Sequence, residues 1–438
     1  MGIAAETARR AGADLVILGA DLGGPAGVGI RVRQGVITEV GPGIRPEPAE
    51  PVVEAGGGAV VAGLRDHHLH LRALSAAGRS VPLGPPSVRD AHGLVDALRQ
   101  AASAARPRAW LRGVGYHDSV AGPLDRDRLD AIVADHPVRI QHRSGQLWIL
   151  NRAGLDRLGL EQGDGRFLHA DGWLGDRLRR DGEGGTDPVA DLAAVGRRLA
   201  SYGVTGVGDA TVSNGPDDAA LLRDSIDQQV LVMGDDRLRH GPRKVLLHDD
   251  DLPGLDDLSE VIRSAHRQGR VAAVHCVTAP SLWFALSAFA EAGCVEGDRI
   301  EHGSVVPPEA AAGLARLGLT VVTQPNFIHE RGDAYLAEVA PDDRPWLYRV
   351  AGLLAMGIPL AAGTDAPFGD PDPWRAMTAA VERRTESGRL LGGSERVSPE
   401  QALALFTGDL EHPGRPEPIR AWTAGDLCVL SVPWREAR

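Results

Sequence analysis

The feature that narrows the fold most is an alternation. Eight short apolar runs are spaced along the chain, most of them separated by helix-like stretches. They are "AVVAGL" (59–64), "GVTGVGDA" (203–210), "QQVLVMGD" (228–235), "RKVLLHD" (243–249), "VAAVHCV" (271–277), "RIEHGS" (299–304), "LTVVTQP" (319–325) and "PLAAGTDAP" (359–367). Strands that alternate with helices pair in parallel, because a parallel neighbour is reached only through a crossover connection. Eight parallel strands are the number that closes a TIM barrel, so the expected fold is α/β with a (β/α)8 barrel. The connection from Asp235 to Arg243 is too short for a full helix, so one unit is expected to be degenerate.

The ends of the chain read differently. "ADLVILGA", "GVGIRVRQGVITEVG" and "PVVEAGGGAVVAG", within residues 13–63, are short strands punctuated by glycine, and "AGDLCVLSVP" (424–433) resembles them. This predicts a composite β-sandwich from residues 1–59 and 408–438, with the barrel over 60–407. Residues from about 74 to 195 are then an insertion after the first barrel strand. It holds two strand-like runs, "RAWLRGVGYHD" and "PVRIQHRSGQLWIL", and a loop-rich piece at 161–187.

Composition excludes several classes. A net charge of -12 opposes binding to a phosphate backbone. Three widely spaced cysteines, Cys276, Cys294 and Cys428, make no disulfide framework and suit a reducing cytoplasm. The first twenty residues lack an export-type apolar core, and no apolar run reaches the roughly 18 residues of a membrane span. "GGPAGVG" at 23–29 lacks the spacing of a dinucleotide fingerprint. The expected partner is a small molecule, with no nucleic acid and no membrane; the expectation leaves room for a homodimer.

Polar residues at strand ends carry the chemistry, because barrel active sites are built where strands run into their C-terminal loops. "RDHHLH" places His68 and His70 two apart on one side of a strand. Such a pair arises by chance in roughly half of chains with this histidine content. His275, His302 and Asp365 each close or interrupt an apolar run. Four imidazoles and a carboxylate buried together are satisfied by a divalent cation. Lys244 joins them from strand four, and it is the only lysine among 47 basic residues, the other 46 being arginine. A buried ammonium beside a metal must lose its proton or be modified.

The ordered set "AGLRDHHLH", "RKVLLHD", "VHCV", "IEHGS" and "GTDAP" resembles the amidohydrolase superfamily, within it the branch of N-substituted formamide deformylases. The resemblance covers nearly the whole chain. It implies two zinc ions per chain. His68 and His70 hold the more buried ion, His275 and His302 the second, and Lys244 bridges as a carbamate formed with carbon dioxide. Asp365 touches the buried ion and serves as general base and then acid for a metal-bound hydroxide that cleaves an amide, formamide or cyclic amide. Arginine forms no such carbamate, which accounts for the surviving lysine. Other reactions of the superfamily, on esters, carbamates or phosphoesters or by isomerisation, and a non-catalytic scaffold, share the fold. Asp66 is read either as a partner that orients a ligand or as a plain loop aspartate. Tyr116, His117, Arg143, Gln146, Gln324 and Asn326 are candidates for substrate contact. Two positions depart from the branch: Gln146 stands where relatives usually have histidine, and "CVTAPS" follows where they have Gly-Asp. The acidic "LHDDDLPGLDD" (247–257) is read as a loop into a helix capped by aspartate.

Overall fold

A computed structural model describes residues 6–7, 14–24, 27–161, 163–181 and 188–437. Part of the N-terminal stretch read for an export core (1–5 and 8–13), the two residues 25 and 26 between the dinucleotide-like glycines, and part of the loop-rich piece (162 and 182–187) lie outside those residues. The chain divides into two compact units, Met1–Leu71 with Leu192–Arg438, and Arg72–Asp191.

The first unit contains eight parallel strands: β1 (Leu64–Leu69), β2 (Val204–Asp209), β3 (Gln229–Val232), β4 (Arg243–Leu246), β5 (Ala272–Cys276), β6 (Arg299–His302), β7 (Thr320–Thr323) and β8 (Leu360–Ala362). One sheet runs β3-β2-β1 and the other β4-β5-β6-β7-β8. Backbone bonds link the two. Lys244 N donates to Gly234 O at 3.0 Å, and on the other side Asp365 N donates to His68 O at 2.7 Å and His70 N to Ala366 O at 2.8 Å. Helices Leu255–Arg267, Ala279–Ala292, Pro308–Leu317 and Asn326–Glu338 follow β4 to β7 in turn. The second opens on a Thr278–Ser281 capping box. The first is capped by Gly254 without a side-chain bond, and Asp256 and Asp257 sit in its first turn. The aspartate cap expected there is therefore replaced by charges that complement the helix dipole.

Strand one differs from its sequence reading. Val60–Ala62 leaves the barrel strands and pairs antiparallel with Leu427–Val429, and β1 begins only at Leu64. Gly63 is the changeover, because a Cβ there would collide with the Thr205 side chain. A second small sheet has the order Val36–Pro42, Val28–Arg33, Leu15–Ala20, Val52–Glu54. Its hairpin turns at Gln34 and Gly35, both left-handed (φ 49° and 75°). Leu15, Ile17, Ile30, Val32 and Ile37 share one core with Val60 and Leu427, so residues from both ends of the chain bury each other.

The second unit is a five-stranded sheet with order Arg166–Leu168, Leu147–Leu150, Val138–His142, Leu111–Tyr116, Val81–Pro82. The run "PVRIQHRSGQLWIL", expected as one strand, is a hairpin in which Arg139 faces Leu150. Ser144 and Gly145 supply its turn, and Gly145 takes φ 78°.

The connection from β3 to β4 contains no helix, as its length requires. Arg270 substitutes for one. Its buried guanidinium donates to the carbonyls of Gly241 (2.8 Å), Asp235 (2.9 Å), Pro242 (3.1 Å) and Gly234 (3.2 Å). Each buried carbonyl left without a donor costs about 1–3 kcal/mol. Gly234 O, Pro242 O and Asp235 O keep backbone donors in Lys244 N, Gly234 N and Leu238 N. Arg270→Met is therefore expected to lower unfolding stability by about 1–3 kcal/mol, chiefly through Gly241 O, read by urea denaturation, whereas Arg267→Met at an exposed position changes it little. A loss under about 1 kcal/mol for Arg270→Met would mean that Gly241 O finds water instead.

Candidate metal centre

His68 lies in the fully buried β1, and its two ring nitrogens have separate tasks. Nδ1 is hydrogen-bonded to the carboxylate of Glu301. Nε2 faces Asp365, with Oδ1 at 3.5 Å. His70, just past the strand, repeats the pattern: Nδ1 contacts Thr211 Oγ1 at 3.0 Å and Nε2 lies 3.3 Å from the same Asp365 oxygen. Ligand atoms of His68, His70 and Asp365 all fall within 4.8 Å of one another. His302 is held likewise by Gln324, whose Oε1 is 2.7 Å from Nδ1. Its ring centroid is 4.6 Å from that of His68 and 4.3 Å from that of His275.

The electrostatics favour cation binding. Burial lowers the pKa of His68, and it holds His275 and His302 well below the usual imidazole value, reinforced by neighbouring rings and Lys244. The rings are therefore neutral and keep lone pairs to donate. Burial pushes the Asp365 carboxyl up, but His70 and His68 outweigh it and the net shift is downward, so the group is ionised at neutral pH. Lys244 is 3% exposed, and its Nζ has no hydrogen-bond partner among the described residues. Burial lowers its pKa. An orphaned buried amine beside three neutral imidazoles and a carboxylate fits a site completed by a cation and by modification of the amine.

The backbone is specialised at two of these positions. His302 and Asp365 adopt left-handed φ values of 71° and 56°, uncommon for residues with a Cβ. Asp66 explains how Asp365 is held. Its buried carboxylate accepts from His68 N (3.2 Å), Thr364 N (3.0 Å) and Thr364 Oγ1. It therefore orients backbone on both sides of the site and does not touch a ligand ring. Burial raises its pKa to about 7, against the opposing Thr364 bonds.

The remaining sequence candidates fall in two places. Gln324 and Asn326 are buried in the first unit. Gln324 grips His302, and Asn326 Nδ2 donates to Thr364 O (3.0 Å) and Glu330 Oε1 (3.2 Å). Tyr116, His117, Arg143 and Gln146 belong to the second unit. There the Tyr116 hydroxyl donates to Gly122 O, and His117 Nδ1 accepts from Ser119 N at 3.2 Å to cap a helical turn. Arg143 N donates to Tyr116 O at 2.8 Å, and Gln146 O accepts from His169 N at 2.8 Å.

Glu301 and Arg299 escaped the sequence reading. Both are at most 1% exposed, and Arg299 Nε lies 2.7 Å from Glu301 Oε1. The pair forms a relay from a buried guanidinium through a carboxylate to His68. Two charges inside the four-residue strand "RIEH" were the signal, since a strand with every residue buried tolerates charge only in pairs.

Residues 51–410 match the amidohydrolase family. The chain belongs to that family. It is 22% identical to an N-substituted formamide deformylase from Arthrobacter pascens, across 83% of this chain and 81% of that one. A putative amidohydrolase, YtcJ, from Bacillus subtilis is 27% identical over a shorter stretch, 37% of this chain and 31% of that protein. Among solved structures, an uncharacterized metal-dependent hydrolase from Pyrococcus furiosus superposes with a TM-score of 0.70 at 23% identity, covering 95% of this chain and 98% of that one. A mutant of the atrazine chlorohydrolase TrzN from Arthrobacter aurescens, complexed with zinc and atraton, gives 0.54 at 14% identity over 94% and 86%. These likenesses show an α/β fold of the TIM-barrel type.

Carboxylate partners of metal-bound histidines are worth about 10- to 100-fold in metal affinity. Glu301→Gln is expected to weaken divalent-cation binding by about that factor, measured by competition with a chromogenic chelator, while the far-ultraviolet circular dichroism stays that of the parent. Unchanged affinity would show that the His68 contact orients nothing.

Proposed function

We propose that the chain is a metal-dependent hydrolase that cleaves the carbon–nitrogen bond of a small amide-type substrate, a formamide, amide or cyclic amide. The observation that carries this is the convergence of His68 Nε2 and His70 Nε2 on one oxygen of Asp365, each ring fixed by a bond at its far nitrogen. Family membership and the formamide deformylase relative support the same reaction class. Imidazoles with carboxylates suit zinc. His68, His70 and Asp365 would hold one ion, and His275, His302 and a carbamate on Lys244 would complete a second position. On this reading the eight strands close as one barrel, and residues 1–59 with 408–438 form a composite domain beside it.

When bound, the cation acidifies water and polarises a carbonyl. Asp365 does the proton work. Ionised, it accepts the proton of the attacking water at a carboxylate oxygen and then delivers it to the departing nitrogen. Its left-handed backbone and the Asp66–Thr364 bonds aim that oxygen between the two imidazoles. Glu301, Thr211 and Gln324 each occupy an Nδ1, so the ligand histidines present Nε2.

Asp365→Asn is expected to lower turnover about 10²- to 10⁴-fold on an N-formyl or N-acyl amine, with metal content measured on the same sample. A loss under about tenfold at full metal content removes Asp365 from the proton path.

The lone lysine gives a second test. The metal-loaded native protein is expected to react with an amine-selective reagent only at its N-terminus, and acid denaturation, which releases carbon dioxide from a carbamate, to expose Lys244 as well. Lys244→Arg is expected to lose both metal and activity, because guanidinium forms no carbamate. Normal metal content and turnover in that variant would sink the carbamate.

A further inference from the structure

Helix Asn326–Glu338 carries a cation that the chemistry above does not use. Arg331 is half-buried, with its guanidinium 3.9 Å over the Phe327 ring. It makes one hydrogen bond to described residues, from Nη2 to Phe368 O at 2.6 Å. Phe368 N in turn donates to Asp365 O at 2.8 Å, and the Phe368 ring packs edge-on against His70 at 5.5 Å. Arg331 is therefore tied to the loop that presents Asp365.

No acid neutralises it. Among the described residues no carboxylate lies within 4.0 Å of the Arg331 guanidinium, and the nearby acids are engaged elsewhere. Glu330 Oε1 accepts from Asn326 Nδ2 (3.2 Å) and Asp370 N (3.1 Å). Asp370 Oδ2 pairs with Arg375 at 2.8 Å, and Asp365 faces His68 and His70. Burial works against the charge of Arg331, yet Tyr335, Tyr348, Asp365 and Glu330 raise its pKa on balance. Around it stand aromatic walls. Phe327 packs on Tyr348 (5.7 Å), and the Tyr335 and Tyr348 hydroxyls lie 3.1 Å apart.

A guanidinium with donors that no described residue takes up, bordered by aromatic rings and joined to the loop of the proton carrier, is suited to an anion. We propose that Arg331 anchors a carboxylate of the substrate, so that the preferred substrates are N-acyl or N-formyl amino acids or similar amides bearing an acid group. The planar fork favours a carboxylate bound through two parallel hydrogen bonds. The inference rests on the amide-hydrolase reading for its substrate class, and on the geometry of Arg331 for the anion. Arg331 binds and positions; it moves no proton.

The test pairs N-formyl- and N-acetyl-phenylalanine, both enantiomers, with their carboxamides, which differ only in the charge. Removing one side of a buried charged pair costs about 2–5 kcal/mol. With the zinc-loaded protein, Arg331→Gln is expected to raise KM for the acids about 30-fold or more, with kcat within about threefold and KM for the carboxamides within about threefold. Arg331→Lys is expected to recover part of the loss, and zinc content measured on each variant reports whether the site is intact. Calorimetric binding of the same acids and carboxamides to the zinc-loaded protein separates the two readings. If no compound is hydrolysed but the acids bind more tightly than the carboxamides, and Arg331→Gln removes that difference, the anion anchor stands and amide cleavage of this class falls. Equal preference for acid and carboxamide in both turnover and binding, no binding of either, or an equal loss for both in Arg331→Gln overturns the anchor.

Discussion

The candidate metal centre depends on one buried carboxylate that touches none of its histidine rings. Asp66 holds the backbone of His68 with one oxygen and the backbone and hydroxyl of Thr364 with both. Those segments belong to the two ends of the row of eight strands, and between them Asp365 N closes on His68 O. The backbone that carries His68 and Asp365 is thus fixed by one main-chain hydrogen bond and by the Asp66 carboxylate that bridges the two segments. Gly363 permits the approach, since a Cβ there would strike the backbone and Cβ of His68. A left-handed Asp365 is tolerable because its neighbours on both sides are pinned.

The histidines then acquire direction from a second layer of partners, each of a different kind. Glu301 is a charge, Thr211 a hydroxyl and Gln324 an amide, and each takes the Nδ1 of one ring. Glu301 is the charged one of the three, and the buried Arg299 helps to keep it ionised. A ligand bound to an anionic partner is a more basic donor. The three rings are therefore graded in donor strength although they share one side-chain chemistry.

Much of this was legible in the sequence, and the failures have physical causes. All eight strand runs were readable because buried parallel strands must be apolar nearly throughout, and polar residues at their ends stood out against that background. The start of β1 was not readable. Val60–Ala62 and Leu64–Leu69 are equally apolar, and what separates them is the Thr205 side chain at Gly63, a contact 142 positions away in sequence. The hairpin inside "PVRIQHRSGQLWIL" did carry a local signal in Ser144 and Gly145, hidden by the strand-like residues on either side. Arg299 and Glu301 lie two apart on one side of β6, but their link to His68 comes only with the fold. Gln324 and Asn326 stood out as polar groups after β7. Their bonds to His302 and to Thr364 O follow from a tertiary arrangement that no local pattern encodes. Arg331 sits in a helix with no distinctive spacing, and only the shortage of nearby free acids singles it out.

The boundary between the two units has a mechanical consequence. The second unit begins at Arg72, one residue after Leu71, and His70 stands immediately before that. Leu71 N is fastened to Asp209 Oδ2 at 2.8 Å, and Asp209 Oδ1 is itself held by Thr211 N and Asn214 Nδ2. This fastening works like a cable clamp at the wall of an instrument. It gives the outgoing chain a fixed point between the imidazole and the residues that follow. The chain that departs after Leu71 is thus anchored before it leaves, one residue beyond the histidine.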